Sequence, residues 1–353
     1  ADISATHGNS RALGDLQVTL NERTRISGRV DAPFLDFSHW NTGQDKDQPA
    51  PSEPSSAYVF DDSNVTWIAD YGIELDVAFR AARLDLGNTL MRDIELGVLL
   101  GPNHLEFSPF SLTRAGSGTL RGSAVLDNSG PIPVLDAELA GESLRLGLMV
   151  VEGQDIATYP PVDLQLSLHG TGHTRREMAS GLNGKLRVYA GSGQIASSGV
   201  DLLFSDFLTE LLDTLDPFAD DGEFTRIDCA VAAADIVDGQ VNVQPLVFHT
   251  EDITVFSDGI IDLRSEKIKL SFNTKPRKGL GITAGTVINT LIKVGGTLKK
   301  PAIEIDPAGA IVGGGTAIAT AGLSIVAKSF ADRFLSSKDP CGDARKEIAK
   351  RDM

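Results

Sequence analysis

The residues able to do chemistry are few and badly placed for it. His169 and His173 stand four apart, the spacing of two metal ligands on one helical face, but Gly170 and Gly172 break any helix between them. No third ligand lies nearby, and the other four of the six histidines are scattered. The chain has no G-x-S-x-G elbow, no H-E-x-x-H, no phosphate loop and no G-x-G-x-x-G after a strand. Gly116-Ser117-Gly118 and Gly191-Ser192-Gly193 read as turns. A hydrolase would need an activated nucleophile, and none is visible. The sequence predicts no catalytic residue, no metal site and no cofactor.

The elements around these residues are strands. Strict apolar/polar alternation, the mark of a half-buried strand, runs through Leu16–Leu20, Ile73–Phe79, Ile94–Val98, Leu135–Leu139 and Leu164–Leu168. It returns at Ile227, Cys229 and Val231, at Val241 and Val243, at Ile253 and Val255, and at Ile268, Leu270 and Phe272. Asn128-Ser129-Gly130, Asp238-Gly239, Asp258-Gly259 and Ser265-Glu266 read as the turns between strands. The pattern predicts a mainly β, antiparallel meander with one apolar face.

Helix is scarce. A wide apolar stripe from Val200 to Leu215 predicts one amphipathic helix, with a second, short helix over Arg175–Ser180 stopped by Gly181. The tail from about Ala317 to Arg351 also reads as helical. So little helix cannot cover so much sheet, which must close as a sandwich or barrel, or curl into an apolar-lined trough or open barrel. At about 4.8 Å per strand a continuous sheet of this many strands would reach about 80 Å. Periodicity alone leaves sandwich and trough both open.

The 353 residues carry 32 Lys and Arg against 48 Asp and Glu, a net charge of −16, which argues against nucleic acid as a general partner. Two cysteines exclude a disulfide-dense mini-fold. The polar, Pro-containing stretch Asn41–Ala57 reads as a linker or loop. Ala308–Ala327 carries no charge over 20 residues, long enough to span a bilayer, but its five glycines and six alanines make it a poor span. The sequence from Ala1 onward shows no charged-then-apolar signal segment, and the chain reads as part of a longer or processed one. Charge is uneven, with nine basic residues between Arg264 and Lys300 against one acid, Glu266. A solvated outer face explains such a run; the functional reading is contact with anionic headgroups, with Lys275, Arg277 and Lys278 the most compact group.

Leu164–Asp201 reads LQLSLHGTGHTRREMASGLNGKLRVYAGSGQIASSGVD, a strand, a Gly-x-Gly turn, a short helix and Leu182-Asn183-Gly184 opening another strand. This order resembles the core of the AsmA family. Ile236–Lys278 is similar to that family's run of hairpins, and Ile292–Pro307 to its closing strand pair with Gly-Gly-Thr-Leu-x-x-Pro. Pro340-Cys341 in a helical tail fits as well. The resemblance is good over about 160–351 and weaker at Val30–Asp36. These are turn and strand patterns, and their specificity lies in their order.

The resemblance implies a non-enzymatic periplasmic factor of diderm bacteria, tethered to the inner membrane by an N-terminal anchor absent from this chain. It would bind phospholipid, help move it between the membranes and maintain the outer membrane, which favours the trough. Val77, Phe79, Leu96, Leu166, Val243, Val255, Leu270 and Phe272 are the expected lipid lining. Envelope proteins are possible partners; the competing reading is a scaffold for outer-membrane protein assembly built as a closed sandwich. In an oxidising periplasm Cys229, sharing parity with Ile227 and Val231, would bond Cys341 and pin the tail to the sheet. The expected parts are 1–172, the N-terminal sheet body; 173–306, the AsmA-like β region with the inserted helix; and 307–353, the Gly/Ala-rich segment and helical tail.

Overall fold

The computed structural model describes residues 2–38, 58–65, 72–85, 90–114, 118–145, 156–196, 224–277, 291–305 and 332–353. The expected Val200–Leu215 helix, the Asn41–Ala57 linker and the Ala308–Ala327 segment lie outside the described residues. The protein is mainly β: seventeen strands belong to one open sheet with few helices. It divides into two compact units. The first comprises Ala1–Arg145, Glu152–Ala157 and Asp163–Gly184; the second comprises Leu146–Val151, Thr158–Val162 and Lys185–Met353.

In the first unit, β1 (Asp2–His7), β2 (Ser10–Leu20), β3 (Thr24–Asp36), β4 (Ile73–Asp85), β5 (Leu90–Gly101), β6 (His104–Arg114), β7 (Thr119–Asp127) and β8 (Val134–Arg145) pair in chain order. Connections of two to six residues suffice for the antiparallel neighbours, but β3 and β4 are parallel, with Thr24 opposite Ile73 and Asp36 opposite Asp85. The meander is therefore not wholly antiparallel. Parallel neighbours need a long crossover, and the polar stretch Asn41–Ala57 falls within that connection. After β9 (Pro161–Thr171) comes the helix α1 (Arg175–Ser180). Its ends are capped reciprocally: Thr174 Oγ1 accepts from the Glu177 N–H at 3.1 Å, and Glu177 Oε2 accepts from the His173 N–H at 2.8 Å. Gly181 stops it, as the sequence predicts.

The second unit holds β10 (Asn183–Ala190), β11 (Gly193–Ala196), β12 (Phe224–Val237), β13 (Gln240–Thr250), β14 (Ile253–Asp262), β15 (Lys267–Pro276), β16 (Leu291–Gly296) and β17 (Pro301–Ile305). From β11 onward neighbouring strands are antiparallel. Asp258-Gly259 is not a turn. It lies inside β14, where Gly259 has φ +149° and a Cβ would overlap the Lys269 carbonyl of β15. Gly28 in β3 has φ +138° and the same close approach to the Asp15 carbonyl. Such mid-strand glycines mark kinks that let a strand bend against its neighbour, so the dipeptide signals local curvature rather than a chain reversal.

The tail is helical in two described pieces, 332–336 and α2 (Pro340–Asp352). Asp339 caps α2 through the Gly342 N–H at 2.9 Å, and Pro340 sits in its first turn, where its missing N–H costs nothing. The buried side chains of these pieces, Phe334, Leu335, Cys341, Ala344 and Ile348, pack on Val231, Ala233, Val247 and Phe256 of the sheet. The Phe256 and Phe334 rings stack at 5.3 Å.

The tail is fastened at both ends. Cys229 and Cys341 are disulfide-bonded, Cα to Cα 6.4 Å, across 112 positions. Parity with Ile227 does not describe Cys229, however. Asp228 is an extra residue in the β12 ladder, with Ile227 opposite Thr250 and Cys229 opposite His249. The bulge turns Cys229 to the opposite face from Ile227 and the same face as Val231, toward α2. At the other end Arg187, 4% exposed, donates to Asp352 Oδ1 at 2.8 Å, to Asp235 Oδ1 at 2.6 Å and to the Ala234 carbonyl at 2.8 Å. The Asp352 carboxyl is held down to about 2, first by hydrogen bonds from Arg187, then from Lys185.

Two outcomes check this clamp. Replacing Cys341 with Ser removes a cross-link whose loop entropy is worth about 4–5 kcal/mol, and urea unfolding should show a loss of that order. Asp352 has a depressed pKa in the folded state, so its contribution is full above about pH 4 and lost as pH falls toward 2. The stability gap between the wild type and Asp352→Asn should close over that window.

Candidate functional site

The register of the first unit collects its apolar side chains onto one face. Directly opposed residues in a ladder point the same way. Val18 faces Ile26, Ile26 faces Leu75, and Leu75 faces Leu100, which faces Leu105 and then Leu126 and Leu135. One step along, Val30, Phe79, Leu96 and Phe110 form a parallel row. The opposite face carries Asp15, Arg29, Asp76, Arg80, Glu95, Arg121, Asp136 and Glu138. The apolar face thus runs unbroken over the seven strands β2–β8, about 29 Å at the usual strand spacing.

Burial along this face is graded. Ala32, Ala81 and Ile94, at 2%, 1% and 9% exposure, make a buried end. Toward the other end Val18 is 55% exposed, Leu20 78%, Ile73 40% and Phe107 38%. The short helix α1 packs through Met178 beside Gly170, at the end of β9. An apolar face this wide and this accessible is what a protein leaves where it meets an apolar ligand or partner.

Four of the eight expected lining residues lie here. Val77 is opposite Val98, and Phe79 is opposite Leu96. Leu166 shares the face, because its neighbour His169 reaches the polar side and bonds Asp136 there at 2.7 Å. The other four, Val243, Val255, Leu270 and Phe272, also share one face, in the second unit, away from α2. Val255 and Phe272 are 1% and 5% exposed, so this part is a packed cluster with Ile253, Ile268, Ile292 and Val294. Val98 follows the alternation of β5, whereas Phe107 and Phe110 escaped sequence reasoning because bulges in β6 shift its alternation.

The polar residues are positioned for structure. His169 and His173 do not converge; His169 lies in a shallow groove of about 500 Å³ on the polar face with Ser123, Asp136, Glu138 and Ser167. Among the described residues no three His, Cys, Asp or Glu side chains are grouped to hold a metal. His249, opposite Cys229, bonds Thr254 Oγ1 at 2.8 Å; burial and then the Arg277 charge hold its imidazole below the ordinary histidine value. Arg277 itself pairs with Asp228 at 2.5 Å and donates to the Thr250 carbonyl, which ties it into the sheet. Lys275 is half-buried at the end of β15, and Lys278 lies outside the described residues. No helix among the described residues is long and apolar enough to cross a membrane.

Over 253 residues, 71% of its length, this chain is 22% identical to the AsmA family protein YhjG of Escherichia coli (strain K12). The likeness to this AsmA family protein is distant. It spans about a third of that relative, the match covering 36% of the relative's length. No family sequence profile matches the chain, and no solved structure does.

The two apolar faces differ in what substitution should do. Phe256→Ala, in the layer beneath α2, should cost about 3–5 kcal/mol in urea unfolding. Val18→Ala or Leu20→Ala, on the accessible face, should cost less than about 1 kcal/mol, because the removed atoms already meet solvent.

Proposed function

We propose that this chain is a non-enzymatic lipid-binding factor of the bacterial envelope, which helps move phospholipid between the inner and outer membranes and so maintains the outer membrane. The observation carrying this reading is the accessible apolar face of β2–β8, with Val77, Phe79 and Leu96 on it and Leu166 of β9 continuing it. An acyl chain laid on such a face leaves water at about 0.8 kcal/mol for each buried methylene, with no polar partner required. The headgroup stays at the margin, where charged residues can meet it. Gly28, inside β3 at φ +138°, lets that strand bend, which suits a sheet that holds a chain-like ligand. AsmA-family kinship supports the envelope setting and a role in lipid transport or outer-membrane upkeep.

Native mass spectrometry of the gently purified protein, with lipid extraction of the same sample, tests the proposal. Bound phospholipid should be present and should be lost in Val98→Asp/Phe107→Asp, while a polar-face control, Thr19→Asp, keeps it. Both variants should retain near-wild-type thermal unfolding, because neither position is in a sealed core. A clean apo mass, under conditions that retain lipid on a known carrier, would overturn the reading in favour of an assembly scaffold with a protein partner.

A further inference from the structure

One end of the second unit's sheet is basic, and it is the end away from Lys275 and Arg277. Three turns meet there: Asp238-Gly239, Leu263–Glu266 and 297–300. The Leu263 N–H donates to the Gly239 carbonyl at 2.9 Å, the Leu298 N–H donates to the Glu266 carbonyl at 2.8 Å, and Lys267 is bridged to Thr297. These bonds hold Arg264, Lys267 and Lys300 together, and all three side chains are exposed. Lys269, also exposed, is two residues further along β15 on the face of Lys267, opposite Ile260.

The last turn of α2 adds to this group. Asp352 is anchored beside Asp235, three residues before the Asp238-Gly239 turn, so α2 runs toward this end with Lys350 exposed, while Arg351 donates to the Gln244 carbonyl at 2.8 Å. The acids here are Asp235 and Asp352, both held by Arg187, and Asp238, Asp262 and Glu266. The Asp262 carboxylate is turned into its own loop by Ser265 and the Arg264 N–H, and Glu266 is fully buried. Lys267, Lys269 and Lys300 make no ion pair with a described carboxylate. Between the cations stand two exposed apolar side chains, Val237 at 57% and Ile260 at 38%. A chain with net charge −16 repels anionic surfaces everywhere except where its cations are concentrated.

We propose that this end of the second unit docks on an anionic phospholipid surface, with Arg264, Lys267, Lys269 and Lys300 on headgroup phosphates and Val237 and Ile260 at the interface. Phosphates on a surface suit the arrangement because the cations come from separate turns and form a broad, shallow front instead of a pocket. Each cation near an anionic leaflet strengthens attachment by about fivefold at ordinary ionic strength. This contact is with the membrane surface and goes beyond the holding of single lipids on the first unit's apolar face.

Vesicle co-sedimentation tests it. The protein should pellet with vesicles of phosphatidylglycerol mixed with phosphatidylcholine, not with phosphatidylcholine alone, and added salt should release it. Lys267→Glu/Lys269→Glu/Lys300→Glu should weaken binding by about 100-fold or more. Arg29→Glu/Arg92→Glu/Arg121→Glu, the same charge change on exposed first-unit positions, should leave it within a few-fold. Circular dichroism confirms folding, and the three Lys→Gln changes serve as the milder set. Equal binding to both vesicle types, or equal loss in the control set, overturns the proposal. Extracted lipid measured on the lysine variant separates the two sites: retained lipid with lost pelleting leaves the apolar-face reading intact.

Discussion

A strand that alternates apolar and polar side chains leaves its sheet with a face that water disfavours, and every other feature of this protein answers to that face. The second unit meets the constraint with a lid. Its α2 and the 332–336 turn cover Val231, Val247 and Phe256, while the reverse side packs Val255, Phe272 and Ile292 into a cluster of their own. The first unit lacks a described lid. Its apolar side chains are sealed only near Ala32, Ala81 and Ile94 and become accessible toward Val18 and Leu20. A wide apolar surface in that state needs a ligand or partner to be stable in water.

The lid of the second unit depends on its fastenings. The described α2 is 13 residues long, marginal for an isolated helix, so its stability comes from docking. The disulfide holds one end, and Arg187 gathers Asp352 and Asp235 at the other. A buried guanidinium is costly to desolvate, and here it is offset by two carboxylates and a backbone carbonyl. Tyr189, stacked beneath Arg345 at 4.7 Å, fills the space between these points.

Lipid handling and the family likeness meet at the level of architecture. The likeness to the AsmA family relative is distant, and the proposed binding needs no nucleophile, metal or cofactor. A passive apolar face makes few demands on residue identity, requiring parity, bulk and freedom from charge. That is why a sequence can drift far while the face persists, and why no single residue announces the site.

The sequence by itself determined the element types, because alternation of period two is local and survives in any β architecture: the strands, the α1 boundaries at Arg175–Ser180 and the apolar parity of Val77, Phe79 and Leu96 were all legible. So was the pairing potential of the two cysteines, once an oxidising compartment was implied. Only the tertiary structure decided which face each run presents. The bulge at Asp228 separates Ile227 from Cys229, and bulges in β6 place Phe107 and Phe110 on one face against simple alternation. Gly259 reads as a turn residue but serves as a kink, because the need for positive φ is common to both and only the neighbouring strand distinguishes them. The parallel β3–β4 pair and the contrast between the sealed Phe272 and the accessible Phe107 depend on which segments come to lie beside one another. Such contacts join residues far apart in the chain, and hydrophobic periodicity carries no record of its partner.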